Sequence, residues 1–256
     1  MEIILIILVI FLMVLGIIEF KLHSNSLSKI PIRIHVNGSR GKSSVVRLIA
    51  SGLRAGGLKT IAKTTGTSPR IIDEHGNDKY IHRLRSASIG EQISFIRRSS
   101  KIRPNALVIE CMAVNPQYQW ISEHKIIKST IGVMTNVRPD HLDEMGISID
   151  QITKSMGNTI PFNGIMVTSE NKQINILKDI SLDRNTDFYS CDSSDLSINE
   201  ISNFQYLEHK ENISLAIKVC ELCGVNKKLA FEGMSKCKPD PGALTIWKIK
   251  YKNSNF

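Results

Sequence analysis

A mostly parallel, doubly wound α/β sheet with a P-loop-like phosphate site, preceded by one transmembrane helix, is the fold this sequence predicts. Three observations carry that prediction. Residues 31–57 run as a short alternating strand, a glycine loop and an amphipathic helix. Further along, strand-like and helix-like segments alternate, which implies a mostly parallel sheet with helices on both faces. Ile3 to Ile18 contains no charged or polar side chain.

Taken in order, the apolar start comes first. Sixteen helical residues span roughly 24 Å, a little short of a ~30 Å hydrocarbon core. Met1 and Phe20 extend the stretch, and Glu19 and Lys21 reach the headgroups. The rival is a cleaved signal peptide, which usually has a positive start and a small-residue cleavage site. This chain starts Met1-Glu2 and has no A-x-A-like site, so an uncleaved anchor over residues 1–20 is favoured. Lys21, His23, Lys29, Arg33 and Arg40 follow the span and no basic side chain precedes it. That bias predicts a single-pass cell-membrane protein with a cytoplasmic body. Residues 21–30 read as a linker, 31–236 as one α/β domain, and 237–256 as a tail or the start of a further domain.

Within the domain, Ile32, Ile34 and Val36 alternate onto one strand face. The loop Asn37–Gly41 follows. Lys42 to Gly57 then reads as a helix with Val45, Val46, Leu48, Ile49 and Leu53 on its apolar side, stopped by Gly56-Gly57. Further strands are expected near 59–64, 106–111, 130–135 and 164–169, and helices near 88–102, 148–157 and 211–223. Residues 181–200, rich in Ser, Asp and Asn, read as a loop or small excursion.

Composition narrows the function. The 256 residues are 42% hydrophobic and 22% charged, enough for a large core and against wholesale disorder. A formal charge of +9 admits a solvated basic surface, nucleic-acid binding, or a basic face near anionic lipid with polyanionic ligands. Aromatics at 6%, with no Lys/Arg block or RNA-binding signature, argue against nucleic acid. Five irregularly spaced cysteines make a poor disulfide framework and suggest a reducing compartment. Cys220 and Cys223 form a lone CxxC inside an apolar helical pattern, better explained by packing than by zinc.

The loop Asn37-Gly38-Ser39-Arg40-Gly41-Lys42-Ser43-Ser44 carries the chemistry. Gly38 and Gly41 permit positive φ and close backbone approach. Backbone N–H groups and the helix N-terminus then face phosphates. Lys42 supplies a point charge to the β- and γ-phosphates of a bound nucleotide, and the Ser43 hydroxyl can ligate Mg2+. The common P-loop needs glycine at position 36, where this chain has Val36, so the loop is a shortened form.

That shortened loop resembles the Mur-ligase superfamily. Lys63-Thr64-Thr65-Gly66-Thr67-Ser68 looks like its threonine/glycine turn, and Ala106 to Cys111 like its buried strand ending in an acid. Met134 to Asp143 looks like its T-N-x-x-x-D-H-L-D segment, and Glu208 to Ala216, more loosely, like its adenine-side helix start. Within the superfamily the chain is most similar to ligase subunits of poly-γ-glutamate synthases, used in capsule or polyglutamate secretion. The resemblance implies that Asn37 to Ser44 bind ATP, with Lys42, Glu110 and His141 catalytic. Ser43, Glu110 and His141 would ligate Mg2+, and Asn212 would lie near adenine. Thr65, Thr67, Asn136 and Asp140 would position substrate or support the metal shell.

It implies an ADP-forming ligase. A carboxylate of a growing polyglutamate would be phosphorylated by ATP and the acyl phosphate attacked by the amine of another glutamate. It also implies small membrane partner subunits for export. Three departures stand out. Met156 sits where many relatives carry a carbamylated lysine, with Lys154 two residues away. Ala243 sits where relatives often place an arginine. The family usually has a C-terminal domain that closes over ATP, and this chain ends at Phe256, about where that domain would begin. A fragment, a frameshifted product and half of a split enzyme all fit. Two other functions remain open: a non-catalytic ATP-binding scaffold of a membrane assembly, and another Mur-type ligase such as a folate polyglutamate synthase.

Overall fold

The computed structural model describes residues 2–66, 68–83, 88–192, 204, 206 and 208–241, together with two short strands at 250–251 and 254–255. Helix α1 spans Glu2–Ser28. Strand β1 (Ile32–Asn37) leads through the glycine loop into α2 (Lys42–Ala55), and β2 (Thr60–Thr64) follows. A hairpin of β3 (Arg70–Ile72) and β4 (Asp78–Tyr80) precedes α3 (Gly90–Ser100) and β5 (Ala106–Glu110). Next come α4 (Pro116–Ile121), continued by a π-helical turn over Ser122–Ile127, and β6 (Ile131–Met134). Then follow α5 (Leu142–Met145), α6 (Ile149–Met156), β7 (Ile165–Thr168), α7 (Ile174–Asp183) and β8 (Asp187–Ser190). Helices α8 (Lys210–Leu222) and α9 (Lys227–Ser235) complete the body.

The sheet order is β4-β3-β2-β5-β1-β6-β7-β8. From β2 to β8 every pairing is parallel; the β2–β3 and β3–β4 pairings, at the β2 edge, are antiparallel. Burial on both faces explains the apolar strands. Ile34, Val36, Ala106 and Val108 point to one face, against α2, α8 and α9. Ile61, Leu107 and Ile109 point to the other, against Phe95 and Ile96 of α3 and Ile126 and Ile127 of the π-helical turn. Residues alternate between these clusters, as a period of two demands. Adjacent strands β1 and β5 thus send their following helices to opposite faces, leaving a crevice beyond their C-terminal ends where doubly wound sheets bind ligands.

Two sequence expectations need correction. Residues 21–28 are helix, not linker: α1 runs on unbroken, and Leu27 and Ile30 are buried beside Phe95 and Ile126. Of the loop or small excursion expected over 181–200, residues 181–192 hold the end of α7 at Asp183 and strand β8 at Asp187–Ser190, and 193–200 lie outside the described residues. The β3–β4 hairpin, α4 and α9 were not anticipated. Three-residue strands show no period, and α4 is a short helix whose start rests on the Asn115 side chain accepting from Gln117 N. All five cysteines are free, and Cys220 is buried with its thiol on the Ile49 carbonyl. Thr67 and Ala243 lie outside the described residues.

Candidate functional site

The loop between β1 and α2 is shaped by its two glycines. Gly38 has φ 138° and Gly41 φ 82°. A Cβ on Gly38 would stand 2.0 Å from Thr135 Oγ1, and one on Gly41 would stand 2.9 Å from Asn212 Oδ1. The chain therefore passes too close to its neighbours for any side chain, and only glycine takes the backbone without strain. No side chain caps α2. Its first backbone N–H groups, ahead of the Val45 N bond to Gly41 O, have no helical partner, as an anion site requires.

The 135–138 segment clamps this loop. Ser39 N donates to Asn136 O (3.0 Å), and the Ser39 hydroxyl donates to Arg138 O and accepts from Arg138 N. The Asn136 amide spans Arg40, accepting from its N and donating to its O, and Thr135 Oγ1 donates to that same carbonyl. Asn136 thus acts on loop shape. Asn37 is also internal: its Nδ2 donates to Gln119 Oε1 and Thr159 Oγ1, and its Oδ1 accepts from Gly38 N. Its side chain anchors the root of the loop, and the residue lines the cleft. Arg40 is exposed, with only a 3.9 Å approach to Asp140.

Lys42 curls back, its Nζ donating to Gly38 O (2.6 Å). Ser43 Oγ donates to Glu110 Oε2 (2.8 Å), and Thr65 N donates to the same oxygen (2.8 Å). The ends of α2, β2 and β5 therefore converge on one carboxylate. Glu110 is 3% exposed. Burial pushes its pKa up, against the pull of the Thr65 amide, the Lys42 charge and the Ser43 hydroxyl.

Asp140 and His141 line the same cleft of about 240 Å³ as Gly38, Lys42, Thr65 and Glu110. His141 adopts φ 46° and stays half exposed, with Nε2 3.8 Å from Asp140 Oδ1. Among the described residues, no three His, Cys, Asp or Glu side chains are gathered closely enough to hold a metal by themselves. Asn212 sits against Gly41, its Nδ2 donating to Glu208 Oε1. Ser44 reaches the same buried carboxyl, whose pKa burial raises. Met156 lines the cleft and Lys154 is exposed.

Sequence reasoning missed three groups. Arg83 lines the cleft, held by Glu91 through Nε (2.9 Å) and Nη2 (3.3 Å). Fully buried Lys63 also binds Glu91 (2.6 Å); burial lowers its pKa and Glu91 opposes that. Beneath β1, His35 Nδ1 meets Glu123 Oε2 at 2.8 Å, both fully buried. Burial works against the His35 charge, but Cys111 and Glu123 outweigh it and raise its pKa to about 10. A lysine or histidine on the inward face of an apolar strand was the available signal, since such a charge needs a partner.

Comparison with known proteins adds the following. The Mur ligase middle domain family matches residues 36–230. The chain is 40% identical over 244 residues to the capsule biosynthesis protein CapB of Bacillus anthracis, covering 94% of this chain and 52% of that protein. It is 38% identical over 237 residues to PGA synthase CapB of Bacillus subtilis (strain 168), covering 92% and 60%. It thus spans little more than half the length of these relatives. Among solved structures, E. coli FolC in complex with DHPP and ADP superposes with a TM-score of 0.66 at 15% identity, covering 90% of this chain and 63% of that one. A point mutant of L. casei FPGS gives 0.64 at 16% identity, covering 92% and 69%. These two establish the shared fold.

Proposed function

The chain belongs to the Mur ligase family, and on that premise we propose that it is the nucleotide-binding part of an ADP-forming ligase that joins glutamate units into poly-γ-glutamate. One observation carries the chemistry: Ser43, Thr65 N and Glu110 meet at a single point beside the glycine loop and Lys42. The two CapB relatives support the product class.

The residues fit a nucleotide with a divalent cation. A buried carboxylate with a raised pKa and no cationic side chain bonded to it suits a positive ion. Ser43 and Glu110 would hold Mg2+, with His141 across the cleft, and the ion would supply charge neutralisation on the transferring phosphoryl group. The loop N–H groups and the α2 N-terminus orient the phosphates. Lys42, released from Gly38 O, sets a positive charge against them. Asn212, beside Gly41, borders the nucleoside side.

In the reaction, a glutamate-chain carboxylate oxygen attacks the γ-phosphorus and the bond to ADP breaks. The amine of a second glutamate then attacks the acyl carbon, loses a proton, and phosphate leaves. Arg83, fixed by Glu91 at the cleft wall, is placed to hold an acidic acceptor. The apolar helix α1 anchors the chain as a single pass with the body in the cytoplasm, and small membrane partners serve export.

The test is ADP release by membranes carrying the chain, with and without glutamate, beside Lys42→Ala. Glutamate-dependent release lost in the variant supports the ligase. ATP binding without any glutamate dependence, even with the relatives' remaining segment supplied, would refute it.

A further inference from the structure

Opposite the cleft, the other end of the sheet carries a feature that the proposed reaction does not use. Helix α1 is exposed through residue 22 and then docks on the body. Glu19 pairs with Arg97 in the last turn of α3, Lys128 stacks over the Phe20 ring at 5.6 Å, and His23 Nε2 lies 2.7 Å from Ile126 O. Arg97 lies ahead of β5 and Lys128 ahead of β6. The helix therefore leaves the body at the N-terminal ends of the strands, a strand length from the cleft at their C-terminal ends.

Charge collects around the foot of α1 at this end, away from the acidic residues Asp73, Asp78, Asp183 and Asp187 farther along the strand ends. Residues 19–33, 57–60, 97–105 and 124–131 carry ten lysines and arginines against one acid, Glu19. The nearby Glu123 is buried on His35 and Ser129. The excess of nine in these segments equals the formal charge of the whole chain, so the remainder is balanced. Among the described residues, no carboxylate lies within ion-pair distance of Lys21, Arg98, Lys101, Arg103 or Lys128. All five side chains are exposed.

We propose that this end of the body seats on anionic phospholipid headgroups through Lys21, Arg98, Lys101, Arg103 and Lys128, holding the nucleotide cleft on the side away from the bilayer. The inference rests on reading α1 as a membrane span. Lysines and arginines next to a membrane surface are drawn to anionic lipid within about a Debye length. A rigid helical junction, in place of a flexible linker, keeps them there. Ile102, exposed between Lys101 and Arg103, adds an apolar contact at the same level.

The experiment reconstitutes the full chain into phosphatidylcholine vesicles and into phosphatidylcholine–phosphatidylglycerol vesicles, and follows amide hydrogen exchange. Exchange over 97–105 and 124–131 is expected to slow on the anionic vesicles. The slowing should vanish at high salt and in the triple variant R98E/K101E/R103E, while 140–146 exchanges alike on both. The variant should still float with vesicles and keep its circular dichroism. Equal exchange on both vesicles, with the chain floating, would overturn the lipid seat and leave the span intact. Failure to float with either would overturn the span reading beneath it. Protection by soluble polyglutamate and not by phosphatidylglycerol would assign the charge to polymer and overturn the proposal.

Discussion

Glu110 and Glu123 are both buried carboxylates within one strand of β1, and their surroundings differ in one respect. Glu123 has a resident cation. His35 meets one of its oxygens, and Ser129 N and Oγ donate to the other at 2.8 and 2.9 Å. Glu110 receives a hydroxyl and an amide on Oε2, and Lys42, whose charge acts on it, is bonded elsewhere. One site is closed and contributes to the fold. The other is held at an electrostatic cost and opens on the cleft, as the proposed cation site requires.

Breaking the closed pair should have the largest effect on stability. His35→Leu leaves Glu123 buried without its partner, and denaturant unfolding should show a loss of about 3–5 kcal/mol. Glu110→Gln should act oppositely. Turnover should fall about a hundredfold or more, as when one electrostatic contact to the reacting group is lost. Apo stability at neutral pH should hold or rise, because a carboxyl whose folded pKa is raised costs stability once ionised. Thermal melts without nucleotide, beside ADP-release rates, separate the two.

The pH dependence sharpens the contrast. His35 has a folded pKa near 10, above its unfolded value near 6.5. Its stabilisation is therefore complete below about pH 6.5 and lost as the pH rises toward 10. Wild-type stability should decline over that window and His35→Leu should decline less. Gly41→Ala should cost about 1–2 kcal/mol from left-handed backbone alone, and also weaken ATP binding by pushing on Asn212. Arg40→Ala, which loses only a long exposed approach to Asp140, should change stability by less than about 1 kcal/mol.

Much of the frame was legible. Strands β1, β2, β5, β6 and β7 are apolar runs bounded by turn residues, and α2, α3, α6 and α8 show amphipathic spacing. The strands that escaped are those whose signal is tertiary: β3 and β4 exist through pairing on the β2 edge, and β8 is a half-exposed edge strand. Within the site, the named residues of the glycine loop, Glu110, His141 and Asn212 line one end of the sheet. Their partnerships were not legible, because Ser43 and Glu110 lie 67 positions apart and Arg40 and Asn136 lie 96. Asn136, expected to support the metal shell or position substrate, bonds both the N–H and the carbonyl of Arg40 in the loop. Arg83 and Glu91 escaped because each looks like a surface charge until the fold places it.

Calorimetric titration of the full chain in detergent with ATP and Mg2+, for wild type, Lys42→Ala and Glu110→Gln, tests the central claim most directly. The account predicts Mg2+-dependent binding by wild type, binding lost in Lys42→Ala, and binding in Glu110→Gln that no longer responds to Mg2+. Equal affinity in all three proteins, with the same Mg2+ response, would contradict it.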